Sequence, residues 1–118
     1  MPNIVCMSLW RNDEEKDLYT RMMHLLNKEG VTRWVWVVGD SEDNTEQILR
    51  QFAHGKPVQV VRYDTNIEGE APKVRLQRLS DTANAGLDCV QAGDDYWIIH
   101  ESDLITPQDI ALQFLDTG

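Results

Sequence analysis

"WVWVVGDSEDNTEQILRQFAHG", residues 34–55, contains one complete unit of the fold. Residues 34–38 are apolar without a break, as in a strand covered on both faces of a sheet. A polar loop, 40–44, follows. Residues 45–53 then place Ile48, Leu49 and Phe52 at helical spacing, and Gly55 stands where a left-handed helix cap is expected.

The same order recurs on either side. Short strands rich in Val, Ile and Trp are predicted at 4–9, 58–63 and 96–100. A helix over 13–28 carries Leu18, Met22, Leu25 and Leu26 on one face. A helix over 74–91 is expected to turn Leu76, Leu79, Ala83, Leu87 and Val90 inward. A last helix starts near Pro107, a favoured first helical residue, and carries Ile110, Leu112, Phe114 and Leu115. Gly30, Gly93 and Gly118 close the other helices. Four strand–helix units predict one α/β domain over 1–118, three layers deep (α/β/α), with a Rossmann-like, mostly parallel sheet.

The two ends of the strands differ in chemistry. Helix-to-strand loops are short, whereas strand-to-helix loops are longer and polar: 10–12, 40–44, 64–73 and 101–106. Ligands of open α/β sheets bind outside the carboxyl ends of the strands, so function is expected at the polar edge.

Composition narrows the partners. With 118 residues, 42% hydrophobic and 26% charged, the chain suits a soluble domain with a real core. The net charge of −9 argues against nucleic acid or an anionic membrane surface as partner. No apolar run approaches the ~20 residues of a membrane span. The N-terminus lacks the marks of a signal peptide, so a cytoplasmic location is expected. Cys6 and Cys89 lie in apolar segments and read as reduced, buried thiols. The apolar last helix suggests a homodimer.

The common phosphate cradles are missing: there is no G-x-G-x-x-G after the first strand and no P-loop. His24, His54 and His100 are scattered and read as surface or structural residues, although His100 adjoins two carboxylates. In "GDSEDNT", residues 39–45, Ser41, Asp43 and Asn44 read as helix-start chemistry, with a capping box from Asn44 to Gln47. Asp40 lies before the helix, where capping does not require it. A carboxylate there can accept from a ligand N–H such as a nucleobase imide. In "IIHESDLITP", residues 98–107, Glu101 and Asp103 flank one residue, so an extended segment turns them to the same side. Such a pair suits Mg²⁺ or Mn²⁺, which also removes their repulsion; the competing reading makes Asp103 a cap for the last helix.

Taken together, these segments resemble the nucleotide-sugar-binding half of a GT-A glycosyltransferase, family 2-like. Asn12-Asp13-Glu14 resembles that family's N-E-E opening of the first helix. "VVGDSEDNTEQIL" resembles its VDDGSTDGT segment, and "NAGLDCVQAGDDYWIIHESD", 84–103, its RNAGL…GDYI…DAD run. The resemblance implies strand order 3-2-1-4 and a nucleotide-diphosphate sugar as donor. It implies base contacts from Asp40, with Trp10, Arg11 and Asn12 bordering the base pocket. Metal binding falls to Asp103, with Glu101 beside it, and the metal stabilises the departing diphosphate.

Three departures stand out. Glu101 replaces an Asp. Ala83 replaces the Arg before NAGL, leaving Lys73, Arg75 and Arg78 as candidates to reach the phosphates; the competing reading makes them solvated charges. No residue here takes the place of the family's catalytic base, which lies with the acceptor site beyond the acid-x-acid motif, in a half these 118 residues are expected to lack. Two other readings compete. A non-catalytic GT-A-like module would bind nucleotide without turnover. A receiver-type signalling domain would use Asp13 and Asp64 around a phosphoacceptor, but it needs a fifth strand followed by lysine.

Overall fold

The structure is a computed structural model and describes residues 2–13, 17–102, 104 and 106–117. Its elements run β1 (Ile4–Trp10), α1 (Leu18–Leu26), β2 (Val31–Val38), α2 (Thr45–Ala53), β3 (Val58–Arg62), α3 (Pro72–Leu87), β4 (Tyr96–Ile99) and α4 (Ile110–Thr117). The sheet is parallel, in order β3-β2-β1-β4. This is the expected three-layer α/β architecture and the expected strand order. It is not that of a receiver domain, whose sheet places β1 between β2 and β3.

β1 is central because it pairs on both sides, Cys6 with Trp34 of β2 and with Ile98 of β4. Period-two alternation divides the core. Cys6, Trp10, Trp34, Trp36 and Val38 face α1 and α2, where Leu18, Met22, Leu25 and Leu49 are buried. Val5, Met7, Val35 and Val37 face α3. Trp10 and Trp36 meet edge to face at 5.6 Å, and the Trp34 indole donates to Leu25 O. Cys6 and Cys89 are free thiols; burial pushes the Cys6 thiol up to about 12. No helix among the described residues is long and apolar enough to cross a membrane.

Several boundaries move for identifiable reasons. α1 begins at Leu18 rather than 13, because Asp13 belongs to the preceding loop: its amide donates to Thr45 Oγ1 and its carboxylate accepts from Arg11 N. β2 starts at Val31 because β1 extends pairing back to Ile4. β3 and β4 each end one residue early, and α4 begins at Ile110, where its amide bonds Pro107 O.

The expected inward face of α3 is the main correction. Leu76 is 67% exposed and Leu79 53%, and Leu87 and Val90 are exposed as well; only Ala83 of that stripe packs against the sheet. The inward face is Arg78, Thr82 and Gly86 instead. Gly86 explains the choice. A β-carbon there would collide with Met7 Sδ and come within 2.9 Å of Val37 Cγ2, so α3 sits closer to the sheet than any larger residue allows.

Candidate functional site

The carboxyl ends of the four strands open into three adjoining hollows. One, about 500 Å³, lies over β2 and β3 and is lined by Arg11, Asp40, Arg62, Asp64, Asn66 and Arg78, among others. A small one, about 90 Å³, shares Arg11, Asp40 and Arg78 with it and reaches Leu9 and Leu79. A third, about 560 Å³, shares Leu9 and Leu79 and ends at His100, Glu101 and Ser102 beyond β4. Because the walls are shared, the hollows form one trench along the sheet edge. Its volume suits a small organic ligand.

Two loops build its floor. The loop after β1 and the loop after β2 are sewn together: Asn12 N donates to Ser41 Oγ, Glu42 N donates to Asn12 Oδ1, and Asp13 N to Thr45 Oγ1. Gly39 makes the junction possible, since a β-carbon there would strike the Tyr63 carbonyl. Thr45 N donates to Asp43 Oδ1, so Asp43 supplies the helix-start bond that was expected of Asn44 or Ser41. The backbone turns left-handed at Asn12, Asp40 and Asn66, with φ of 49°, 53° and 59°. Asn and Asp tolerate that region better than other side chains; Asp40 and Asn66 line the trench, and Asn12 joins the two loops beside it.

Asp40 is held from two sides. Its amide donates to Asp64 Oδ1, and its carboxylate takes two bonds from Thr65: from the amide at 3.1 Å and from the hydroxyl at 2.8 Å. The Asp40 amide, and then the Arg62 guanidinium 2.8 Å away, hold the Asp64 carboxyl below the usual carboxylate range. Arg62 also donates to Ser41 O, tying β3 to the loop after β2. Thr65 is thus a positioning residue for Asp40. Thr65→Val should cost about 1 kcal/mol of stability, the net worth of one hydrogen bond. A thermal melt checks this, and an unchanged midpoint would remove Thr65 from the account.

The expected site residues distribute as follows. Asp40, Arg11 and Arg78 line the trench together. Arg78 is nearly buried, 5% exposed; its Nη2 donates to Gly69 O, while its Nε has no hydrogen-bond partner among the described residues. The surface-charge reading therefore fails for Arg78. Arg75 is exposed and does not line the trench, and Lys73 is exposed. Arg75 is exposed although it lies one turn before the buried Arg78 on α3. Trp10 is buried under the trench floor, and Asn12 serves the junction between loops. Glu101 is exposed at the far end of the trench. Asp103 lies outside the described residues, as does Glu14. Asp13, cast beside a phosphoacceptor in the receiver reading, is instead paired with Arg21 at 3.0 Å. Arg62 and Thr65 were missed. Their signal was the polar run that follows a valine-rich strand, 62–65.

A metal needs a convergent donor set. Among the described residues, no group of three His, Cys, Asp or Glu side chains is placed to hold one. At the Glu101 end the neighbouring carboxylate, Asp13, is engaged by Arg21. The described donors do not by themselves make a metal site.

No protein-family model matches the chain, and no curated protein sequence matches it. In fold it is similar to TarS from S. aureus. Against TarS 1–349 in complex with UDP-GlcNAc, the TM-score is 0.68 at 18% identity, over 98% of this chain and 31% of that one. Against a longer TarS structure it is 0.66 at 20% identity, over 98% and 20%. Against TarS 1–349 in complex with UDP it is 0.62 at 20% identity, over 98% and 32%. The chain thus spans about a third or less of the chains it matches. At such identity the likeness establishes a shared α/β fold with sheet order 3-2-1-4.

Proposed function

We propose that the trench binds a nucleoside diphosphate sugar, with the base at Asp40 and the sugar toward Glu101, as the donor half of a glycosyltransferase. The observation that carries the reading is the clamped Asp40 carboxylate at one end of a trench in a fold shared with a protein crystallised with UDP-GlcNAc and UDP. A carboxylate with acceptor capacity left suits a base presenting a ring N–H, as uracil does at N3. Arg11 and Arg78 stand along the same wall and supply positive charge for the diphosphate. Leu79 and Leu9 give the middle of the trench an apolar lining.

The expected requirement for Mn²⁺ or Mg²⁺ rests on Asp103 with Glu101 and belongs to the proposal. Calorimetry of UDP binding, with Mn²⁺ and with chelator, tests both parts. UDP should bind in the micromolar to millimolar range, about tenfold or more tighter with Mn²⁺, given the several kcal/mol that a dication contributes beside phosphate oxygens. Binding indifferent to Mn²⁺ would remove the metal and leave the trench; no binding in either case would remove the donor reading. Because no residue is assigned as catalytic base, a module that binds without turnover is the second reading. Sugar release from UDP-GlcNAc, measured on the same sample, separates the two.

A further inference from the structure

We infer that neutral His24 is the keystone of a clasp holding the segment at Thr106–Pro107 against α1, and that taking up one proton on its Nε2 opens that clasp.

Three side chains at spacing i, i+3 and i+7 grip the chain after β4. Arg21 donates to Ser102 O and Oγ at 2.8 and 2.6 Å. Lys28 Nζ donates to Thr106 O at 2.6 Å and Pro107 O at 3.2 Å, and lies 2.9 Å from His24 Nε2. The Thr106 amide donates to the same His24 Nε2 at 3.1 Å. An amide N–H can only donate, so Nε2 carries the lone pair and Nδ1 the hydrogen. A proton on Nε2 would face two donors, one of them a cationic amine buried to 4% exposure. Both bonds would become repulsions.

His100 completes the network. Its Nδ1 donates to Glu101 O at 2.7 Å, and its Nε2 accepts from the Thr106 hydroxyl at 2.8 Å. Among the described residues, the titratable groups facing His24 are Lys28, two residues past the end of α1, and His100, just after β4; Cys6 on β1 faces Lys28. Burial, then the Lys28 charge, then His100 lower the pKa of His24 from its ordinary 6.5. Folding therefore favours the neutral ring. The stabilisation is complete above about pH 6.5 and is lost as pH falls below that through the lower folded value.

The clasp stands independently of any ligand in the trench. Its consequence for the trench is that Glu101 and Ser102, which wall the far end, ride on the clasped segment. The test uses the full ¹⁵N-labelled chain and the His24→Gln variant, whose side-chain oxygen accepts like Nε2 but does not titrate. Thr106 amide protection, corrected for intrinsic exchange, should fall at least about tenfold between about pH 7.5 and 4.5 in the parent and less than about twofold in the variant. Equal protection at both pH values in the parent would overturn the inference, as would an equal fall in both proteins. Imidazole ¹⁵N shifts of the parent give a second reading that needs no variant. A hydrogen on Nδ1 of His24 at neutral pH is expected, and one on Nε2 would overturn it.

Discussion

Asp40→Asn should weaken UDP binding by about tenfold to a hundredfold, the worth of one hydrogen bond to a charged group. The substitution is nearly isosteric and leaves the local clasp in place. Asn Oδ1 still accepts from the Thr65 amide, and Asn Nδ2 donates to the Thr65 hydroxyl, which accepts as well as donates. Stability should therefore change little while recognition changes greatly. The loss should also depend on the base. Cytosine presents an acceptor at N3 where uracil presents a donor, so the parent should prefer UDP to CDP, and the variant should narrow or reverse that preference. Calorimetry of UDP and CDP against both proteins checks this. Equal UDP affinity in parent and variant would remove Asp40 from the site.

Gly86→Val should destabilise the fold by about 3 kcal/mol, the upper end of overpacking costs. The new β-carbon would fall on Met7 Sδ and Val37 Cγ2, both in the sheet layer beneath α3. Neither residue has room to retreat, since both are fully buried. α3 would have to lift, and lifting it moves Arg78, two turns earlier on the same inward face, away from the trench. A fall of about 10 °C or more in Tm is expected for a domain of this size. An unchanged melt would mean that the close approach of α3 does not govern its orientation.

That orientation marks the limit of what the sequence displays. The strands were legible because an uninterrupted apolar run has one common use in an α/β chain. The sheet order came from resemblance rather than periodicity, since pairing is non-local. In α3 the stripe of Leu76, Leu79, Leu87 and Val90 is real, but periodicity reports that a face is apolar and not which neighbour it meets. Three short-range facts turned the helix the other way: the small Gly86 against Met7, Thr82 bonding back to Arg78 O, and Arg78 folding in toward Gly69.

The site divides in the same manner. Asp40 could be singled out locally, because a carboxylate directly after a buried strand has no capping duty. Its partners Asp64 and Thr65 come from the neighbouring strand's exit, and only the β2–β3 pairing brings them near. Arg21, His24 and Lys28 each look like ordinary polar residues of a helix surface. Their common task appears once the segment after β4 is laid across α1.

A crystal of this protein soaked with UDP and Mn²⁺ bears most directly on the central claim. The account predicts the uracil ring against the Asp40 carboxylate, its N3 within hydrogen-bond distance, and the diphosphate directed past Arg11 and Arg78 toward Glu101. Density for the nucleotide outside the trench, or a base facing away from Asp40, would contradict it.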